Sequence, residues 1–299
     1  MWRDLDLDLT ERQVLSEDYV GLLTLHAFAT LPARIERLAG HLPRLRTLYA
    51  TLAECDGRLC LLAHLRQQPR WCWAQASSAR DLRLDDMANP LLDDAQPLSL
   101  ALAGEGVFLT GQNGVGKSTF LRGVGLNLLV ARAFGFCYAA QAMVPALPVW
   151  SSMVHEDSLA IGDSLYMAEM RRAQTLLQMA ERGEAAVFLI DEIFRGTNHI
   201  ESVAGATAVL NRLAAAGAVI VSSHNGVLAP LLRARLAAWR IVRAASGNLA
   251  IEPGVLLEPN GIAMMQRYGI ADAVRAEALR VHDWFAEHVA TPVTFPPLS

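Results

Sequence analysis

Apolar positions follow two different spacings along the chain. Between residues 21 and 68 they recur at every third or fourth position, which predicts helices. Pro32 and Pro43 should divide this segment into at least two helices, because proline interrupts helical hydrogen bonding. The arginines of this segment are typical of a solvated helical face, with a DNA- or partner-binding surface as the alternative.

Beyond residue 71 the apolar residues form short runs between longer periodic segments. Such runs are typical of strands that are buried on both faces of a parallel sheet. We expect strands near 71, 107–110, 187–190, 218–223, 239–245 and 248–252. Helices are predicted at 118–133, 164–182, 202–216 and 227–238.

This alternation of strands and helices predicts an α/β fold, with a parallel-rich sheet covered by helices on both faces. We expect an N-terminal helical segment at 1–84, an α/β domain at 85–270, and a C-terminal helix and tail at 271–299. Residues 133–154 carry no charge and are long enough to cross a bilayer, but they contain two prolines. We interpret them as buried strand and loop, and expect no membrane segment.

The stretch GQNGVGKST at 111–119 fits the phosphate-loop pattern of Gly, four residues, and Gly-Lys-Ser/Thr. It follows a predicted strand and precedes a predicted helix, which is the context that the pattern requires. Backbone N–H groups of the loop and the start of the helix should hold the phosphates of ATP. The predicted nucleotide-binding residues are Gly111, Gln112, Asn113, Gly114, Val115, Gly116, Lys117, Ser118 and Thr119, with Ser118 also a ligand of Mg²⁺.

Lys117 is the only lysine among the 26 basic residues of the chain. Its compact ammonium group on a flexible stem can reach the β- and γ-phosphates, where a broad guanidinium group would fit badly. This exception to an otherwise arginine-only composition supports the phosphate-loop interpretation. A P-loop NTPase is therefore predicted.

Two adjacent acids end the run VFLIDE at 187–192. Four apolar residues predict a buried strand, and α/β sheets present their ligands at the carboxyl ends of such strands. Asp191 should hold Mg²⁺ through water, and Glu192 should orient or deprotonate the attacking water. The alternative is that both carboxylates only cap the next turn. Together with the loop, the acids predict Mg-ATP binding and hydrolysis.

Composition limits which binding partners and which cellular compartment we expect for this chain. The net charge of −4 gives no overall attraction to nucleic acid, so any contact with DNA needs a local basic patch. The four cysteines lack CxxC spacing and the N-terminal residues are acidic, which favours free thiols in the cytoplasm. A zinc site built from Cys55, Cys60, Cys72 and His64 is the less favoured alternative.

Four stretches together resemble the ATPase domain of the MutS family of DNA mismatch-repair proteins. They are TGQNGVGKST at 110–119, IGDSLYMAEM at 161–170, IDEIFRGTN at 190–198 and SSHN at 222–225. MANPLL at 87–92 is similar to the His-Pro element of that family, with Asn89 in place of the usual histidine. GIAMMQRYGI at 261–270 is similar to its C-terminal helical stretch. The resemblance covers about residues 50–285, and the LSGGQ signature of related transporter ATPases is absent.

The resemblance implies further catalytic residues and a dimer. Ser164 matches the serine that approaches the γ-phosphate bound by the opposite subunit, and His224 matches the histidine that senses the γ-phosphate. Residues 195–198 match the loop that links the two sites across the dimer. Without the family, Ser164 would be read as a helix cap and His224 as an ordinary loop histidine.

We therefore expect a MutS-like ATPase that hydrolyses Mg-ATP at a composite site in a homodimer and couples it to DNA binding or repair. The mismatch-finding region that precedes the ATPase in MutS has no counterpart here, so we do not expect this chain to recognise mismatches alone. One alternative is an ATP-dependent adaptor with little hydrolysis. Another is the engine of a transporter-like complex.

Overall fold

The computed structural model describes the backbone of most of the chain. The described residues are 26–77, 80–112, 114–153, 165–183, 185–244, 247–256, 261–262, 265 and 268–288. They divide between two compact units, Met1–Gln68 and Pro69–Ser299.

Among its described residues, the first unit contains one helix, α1 (His26–Gln67), 42 residues long. The prediction of at least two helices is therefore wrong, because α1 runs through both Pro32 and Pro43. Each proline removes one helical hydrogen bond, but the residues on either side are mostly leucine, alanine and arginine, which favour helix. In the turn after Pro43, the hydroxyl of Thr47 donates to the Pro43 carbonyl oxygen over 3.0 Å.

Besides short helical pieces at 261–262 and 265, the second unit contains three sheets and five helices among its described residues. Its strands are β1 (Cys72–Trp73), β2 (Gln75–Ser77), β3 (Leu82–Met87), β4 (Leu98–Leu102), β5 (Gly106–Gly111), β6 (Phe136–Cys137), β7 (Gln141–Pro145), β8 (Val149–Ser152), β9 (Val187–Asp191), β10 (Ala218–Ser222), β11 (Leu236–Arg243) and β12 (Leu249–Pro253). Its helices are α2 (Lys117–Phe134), α3 (Leu165–Glu181), α4 (His199–Ala216), α5 (Leu228–Leu232) and α6 (Asp272–His288).

The main sheet has six strands in the order β12-β11-β5-β10-β9-β8. All neighbours pair in parallel except β11 and β12, which are antiparallel. This confirms the predicted α/β fold with a parallel-rich sheet. A second sheet, in the order β2-β7-β3-β4, and the short β1-β6 pair complete the strands of the described region.

Side chains of the central strands alternate between two separate apolar clusters. Val107 and Leu109 of β5 belong to the cluster that includes α2 and the second sheet. Phe108 points to the opposite cluster, which includes α3, α4 and α5. Because both faces of the sheet are covered, its strands read as continuous apolar runs.

Helix α2 lies close to the main sheet because of a glycine. A Cβ atom on Gly125 would come within 2.9 Å of the Leu189 side chain on β9. The absence of a side chain at Gly125 therefore lets the middle of α2 pack closely on β9.

The predicted helix at 227–238 is wrong in its second half. Helix α5 ends at Leu232, and residues from Leu236 onward form β11. The Ala-Ala pair at 237–238 has a high helix propensity, but the segment pairs with β5 from Leu236 to Ile241. Tertiary pairing overrides local preference here.

The described region contains no candidate membrane-spanning helix. None of its helices combines the length and the apolar character that a membrane-crossing helix needs. The charge-free stretch at 133–154 instead contains the end of α2 and strands β6, β7 and β8.

Candidate functional site

The phosphate loop connects the fully buried strand β5 to helix α2. Gly114 and Gly116 have φ angles of 77° and 108°, in the left-handed region that suits glycine. Gly116 also caps α2, and its carbonyl oxygen accepts from the Phe120 N–H over 2.8 Å. Asn113 of this loop lies outside the described residues. The two glycines thus let the chain turn sharply into the helix.

Lys117 folds its side chain back over the loop. Its ammonium group donates to the carbonyl oxygens of Gly111 and Gln112, over 2.8 and 3.1 Å, and its side chain is almost fully buried. Burial lowers the pKa of Lys117, and the nearby charges of Glu192 and Asp191 partly oppose that shift. The lysine therefore lies within the electrostatic reach of both acids.

Asp191 and Glu192 occupy the carboxyl end of β9. The register of the sheet places Ser222 of β10 beside both Asp191 and Leu109 of β5. The Ser222 hydroxyl donates to Asp191 Oδ1, and the Ser222 carbonyl oxygen accepts from the Glu192 N–H over 2.9 Å. The loop, the acids and the segment after β10 thus meet at one edge of the sheet, as expected for a parallel arrangement.

Glu192 lies between two cationic groups. Its Oε1 is 3.2 Å from His224 Nδ1, and its Oε2 is 3.1 Å from Arg195 Nη1. Burial alone would raise the pKa of Glu192, but the hydrogen bond from His224 and the charges of His224, Arg195 and Lys117 outweigh burial and lower it. The same hydrogen bond raises the pKa of His224. Glu192 is therefore held as a carboxylate.

A cavity of about 270 Å³ opens beside the first turn of α2. Asn89 lines it and donates weakly to the Thr119 carbonyl oxygen over 3.5 Å. Gln96 lines the opposite side, where its Oε1 accepts from the Leu249 N–H over 2.7 Å. The walls mix apolar side chains with these two amide groups and with the charged residues Asp94 and Arg243.

The structure brings together most of the residues that the sequence singled out. Lys117, Asp191, Glu192 and His224 share the carboxyl edge of the main sheet. Ser118 and Thr119 lie in the first turn of α2. Ser164 lies outside the described residues, immediately before α3. In the described region, no group of three or more His, Cys, Asp and Glu side chains is arranged to hold a metal, and all four cysteines are free thiols.

Sequence reasoning missed three polar contacts of this site. It did not predict the hydrogen bond between Ser222 and Asp191 or the ion pair between Arg195 and Glu192. It also missed Glu169, which is buried on α3 and accepts from the Gly196 N–H. The burial of Glu169 could have been predicted from the sequence, because it lies four and seven residues before the buried Ala173 and Leu176, on the same face of the helix.

Comparison with known proteins shows which sequences this chain resembles. The family model "MutS domain V" matches residues 107–278. "DNA mismatch repair protein MutS" of Thermus aquaticus is 33% identical over 189 residues, which cover 61% of this chain and 23% of that protein. A Thermus thermophilus protein of the same name is 28% identical over 289 residues, or 93% of this chain and 34% of that protein. The chain thus spans about a quarter to a third of the length of these relatives.

Proposed function

Because this chain belongs to the MutS family, we propose that it is a P-loop ATPase that binds and hydrolyses Mg-ATP and couples the reaction to DNA binding. The single observation that supports this most strongly is the meeting of a buried lysine with two acids at one sheet edge. The register of β5, β10 and β9 brings the loop and both acids to this edge, and the charges of Glu192 and Asp191 partly oppose the lowering of the Lys117 pKa by burial. Phosphate-loop ATPases need this combination of cation and carboxylates.

The residues of the loop fit a triphosphate and its metal. Lys117 would exchange its two carbonyl partners for the β- and γ-phosphates. Ser118 and Asp191 would hold Mg²⁺, which would offset the negative charge of the phosphates. The Ser222 hydroxyl, which donates to Asp191 Oδ1, would orient that carboxylate for this role. The 270 Å³ cavity beside α2 would accept the base of the nucleotide.

Glu192 is the residue that we propose as the base for water attack. His224 lies 3.2 Å from Oε1, and Arg195 forms a 3.1 Å ion pair with Oε2, although Oε2 has no hydrogen-bond partner among the described residues. A carboxylate held in the ionised state can accept a proton from water as the water attacks the γ-phosphate. His224 would in addition contact the γ-phosphate from the end of β10.

We further propose that two copies of the chain form a composite site in the cytoplasm. Ser164, which precedes α3, would contact the triphosphate bound by the other copy. ATP would then stabilise the dimer and hydrolysis would release it. The relatives are named for DNA mismatch repair, which supports DNA as the partner.

Phosphate release is the direct test of the proposed reaction. Wild-type protein should release phosphate from Mg-ATP, whereas Glu192→Gln should bind ATP with similar affinity but turn over at least ~100-fold more slowly. Glu105→Gln is a matched control, because Glu105 is an exposed acid at the opposite end of β5. If the wild-type protein released no phosphate, the proposed ATP hydrolysis would be wrong and an ATP-dependent adaptor would be favoured.

DNA binding needs a separate measurement. Duplex, mismatched duplex and branched DNA should each be titrated at several salt concentrations with ATP present, because phosphate contacts weaken steeply with salt. Salt-dependent binding of at least one form is expected. If no form binds even at low salt, the DNA-repair part of the proposal is wrong and the ATPase part still stands.

A further inference from the structure

Glu169 is a buried acid outside the group of residues that would contact nucleotide. It lies on the second turn of α3 and exposes only 6% of its surface. Its Oε2 accepts from the Gly196 N–H over 3.2 Å, and its Oε1 has no hydrogen-bond partner among the described residues. Burying a carboxyl group with one oxygen unsatisfied is costly, so the hydrogen bond to Gly196 offsets part of that cost.

Glu169 hydrogen-bonds the turn at 195–197, which we call the Gly196 turn. This turn packs directly on the first turn of α3. A Cβ atom on Gly196 would lie 2.6 Å from Tyr166 N and 2.9 Å from Tyr166 Cα. The Tyr166 ring in turn lies 6.1 Å from the Phe194 ring. The Gly196 turn and the start of α3 are therefore in close contact through backbone and side chains.

The residues that lead into the Gly196 turn have unfavourable backbone angles. Glu192 and Phe194 have φ angles of 58° and 55°, in a region that non-glycine residues rarely adopt. Such a conformation persists only where surrounding contacts hold it. Phe194 is held by burial in the apolar cluster with α3 and α4, and the Gly196 turn is held by Glu169.

The Gly196 turn also carries the arginine that forms an ion pair with the proposed base. Arg195 Nη1 lies 3.1 Å from Glu192 Oε2. A small cavity between β8, β9 and α3 is lined by both Glu169 and Glu192, so the two acids are near neighbours. Displacement of the turn would therefore move Arg195 away from Glu192.

We infer that Glu169 is a positioning residue for hydrolysis: its hydrogen bond to Gly196 fixes the turn and thereby places Arg195 against Glu192. This inference rests on the proposed ATPase function. It links α3, the helix that follows Ser164, to the carboxylate that would activate water. Glu169 acts through Arg195 and does not itself touch the reacting atoms.

Three variants separate the hydrogen bond from charge and packing. Glu169→Met keeps the length of the side chain but removes the acceptor, whereas Glu169→Gln keeps an acceptor oxygen for Gly196. Glu181→Met changes an exposed acid at the end of the same helix and serves as the control. Thermal unfolding establishes that each variant is folded before its activity is compared.

Turnover and nucleotide affinity should change independently. Glu169→Met should bind Mg-ATP within about 3-fold of wild type while kcat falls at least ~10-fold, as expected for loss of a hydrogen bond to a charged group. Glu169→Gln and Glu181→Met should keep kcat within about 3-fold of wild type. Equal losses in the Met and Gln variants, or an unchanged kcat in the Met variant, would overturn the inference.

A double variant tests whether Glu169 acts through Arg195. If it does, adding Glu169→Met to Arg195→Ala should lower kcat no further, because both changes remove the same restraint on Glu192. Losses that multiply would contradict the inference.

Hydrogen exchange provides a readout that does not depend on ATPase activity. In the free protein, Glu169→Met should speed exchange of the Gly196 amide by about 10-fold, and Glu169→Gln should leave it close to wild type. If wild type releases no phosphate, the proposed function fails, but exchange at Gly196 still decides whether Glu169 fixes the turn. An unchanged exchange rate in the Met variant would reject that role.

Discussion

The carboxylate of Glu192 and the imidazole of His224 form an ion pair at the carboxyl edge of the main sheet, with Oε1 and Nδ1 3.2 Å apart. The pair joins the end of β9 to the segment after β10, two neighbouring parallel strands. It therefore ties the proposed base to the residue that would sense the γ-phosphate before any nucleotide binds.

The contribution of this pair to stability should depend on pH. The folded protein raises the pKa of His224 above its ordinary 6.5 and lowers that of Glu192 below its ordinary 4.5. The His224 contribution is thus complete below 6.5 and is lost as pH rises through the folded pKa of His224. The Glu192 contribution is complete above 4.5 and is lost as pH falls through the folded pKa of Glu192.

The pair should accordingly stabilise the protein most between about pH 4.5 and 6.5. We expect His224→Ala to lower the free energy of unfolding more at about pH 5.5 than at about pH 9, as measured by urea denaturation across that range. His199→Ala is a suitable control, because His199 is exposed at the start of α4. A difference between wild type and His224→Ala that grows toward the alkaline end of the range would contradict the ion pair.

Replacement of Lys117 should weaken nucleotide binding even when positive charge is kept. The ammonium group fits between two carbonyl oxygens in a nearly buried space, where a guanidinium group is too broad. Lys117→Ala should lower the affinity for Mg-ATP by about 100-fold, and Lys117→Arg by at least ~10-fold. Calorimetric titration measures both, with Arg122→Ala, an exposed cation of the same helix, as the control. Wild-type affinity in Lys117→Arg would show that the shape of the cation is unimportant.

Asn127 should be among the side chains most important for stability. It is fully buried on α2; its Oδ1 accepts from the Tyr138 N–H over 2.7 Å, and its Nδ2 donates to the carbonyl oxygens of Ala88 and Gly123 over 3.2 and 2.9 Å. Asn127→Ala would remove the hydrogen bonds to the buried Tyr138 N–H and to the partly buried Ala88 carbonyl oxygen. We expect a loss of about 2–4 kcal/mol in the free energy of unfolding by urea denaturation.

A matched change elsewhere distinguishes this network from a general effect of removing asparagine. Asn211→Ala, at a partly exposed position inside α4, should change the free energy of unfolding by less than about 0.5 kcal/mol. Similar losses in the two variants would contradict the role of the Asn127 hydrogen bonds.

The four thiols should react in an order set by their surroundings. Cys55 and Cys60 are exposed on α1, Cys72 is half-buried, and Cys137 is fully buried. Burial raises the pKa of Cys137 to about 12, so almost none of it is thiolate near neutral pH. Maleimide labelling followed by mass spectrometry should modify Cys55 and Cys60 first and Cys137 only after unfolding. Prompt labelling of Cys137 in the folded protein would contradict its placement in the core.

Much of the main sheet could be predicted because each strand's apolar pattern lies within a few consecutive residues. Strands covered on both faces must be continuously apolar, so β5, β9 and β10 are visible as short runs. The phosphate loop is visible because its glycines and Lys117 have fixed spacing. The predicted helix at 118–133 differs by one residue at each end from α2.

The remaining features depend on pairing and contact at long range. The alanines of β11 indicate a helix until β5 is known to lie beside them. In the second sheet, β7 pairs with β2 and β3, which lie far before it in the chain. The pattern of apolar residues does not predict either pairing. The contact between Glu169 and Gly196 spans 27 residues and two elements, so it becomes visible only in the folded chain.

Because the chain's single lysine is buried, proteolytic cleavage beside it can measure local unfolding. A lysine-specific protease has one internal site, the peptide bond between Lys117 and Ser118, which lies in the first turn of α2. Cleavage there requires that turn to unwind, and it yields two fragments, 1–117 and 118–299. The rate of a single cut would thus follow the opening of one helix end, undisturbed by the many arginines that trypsin would also attack.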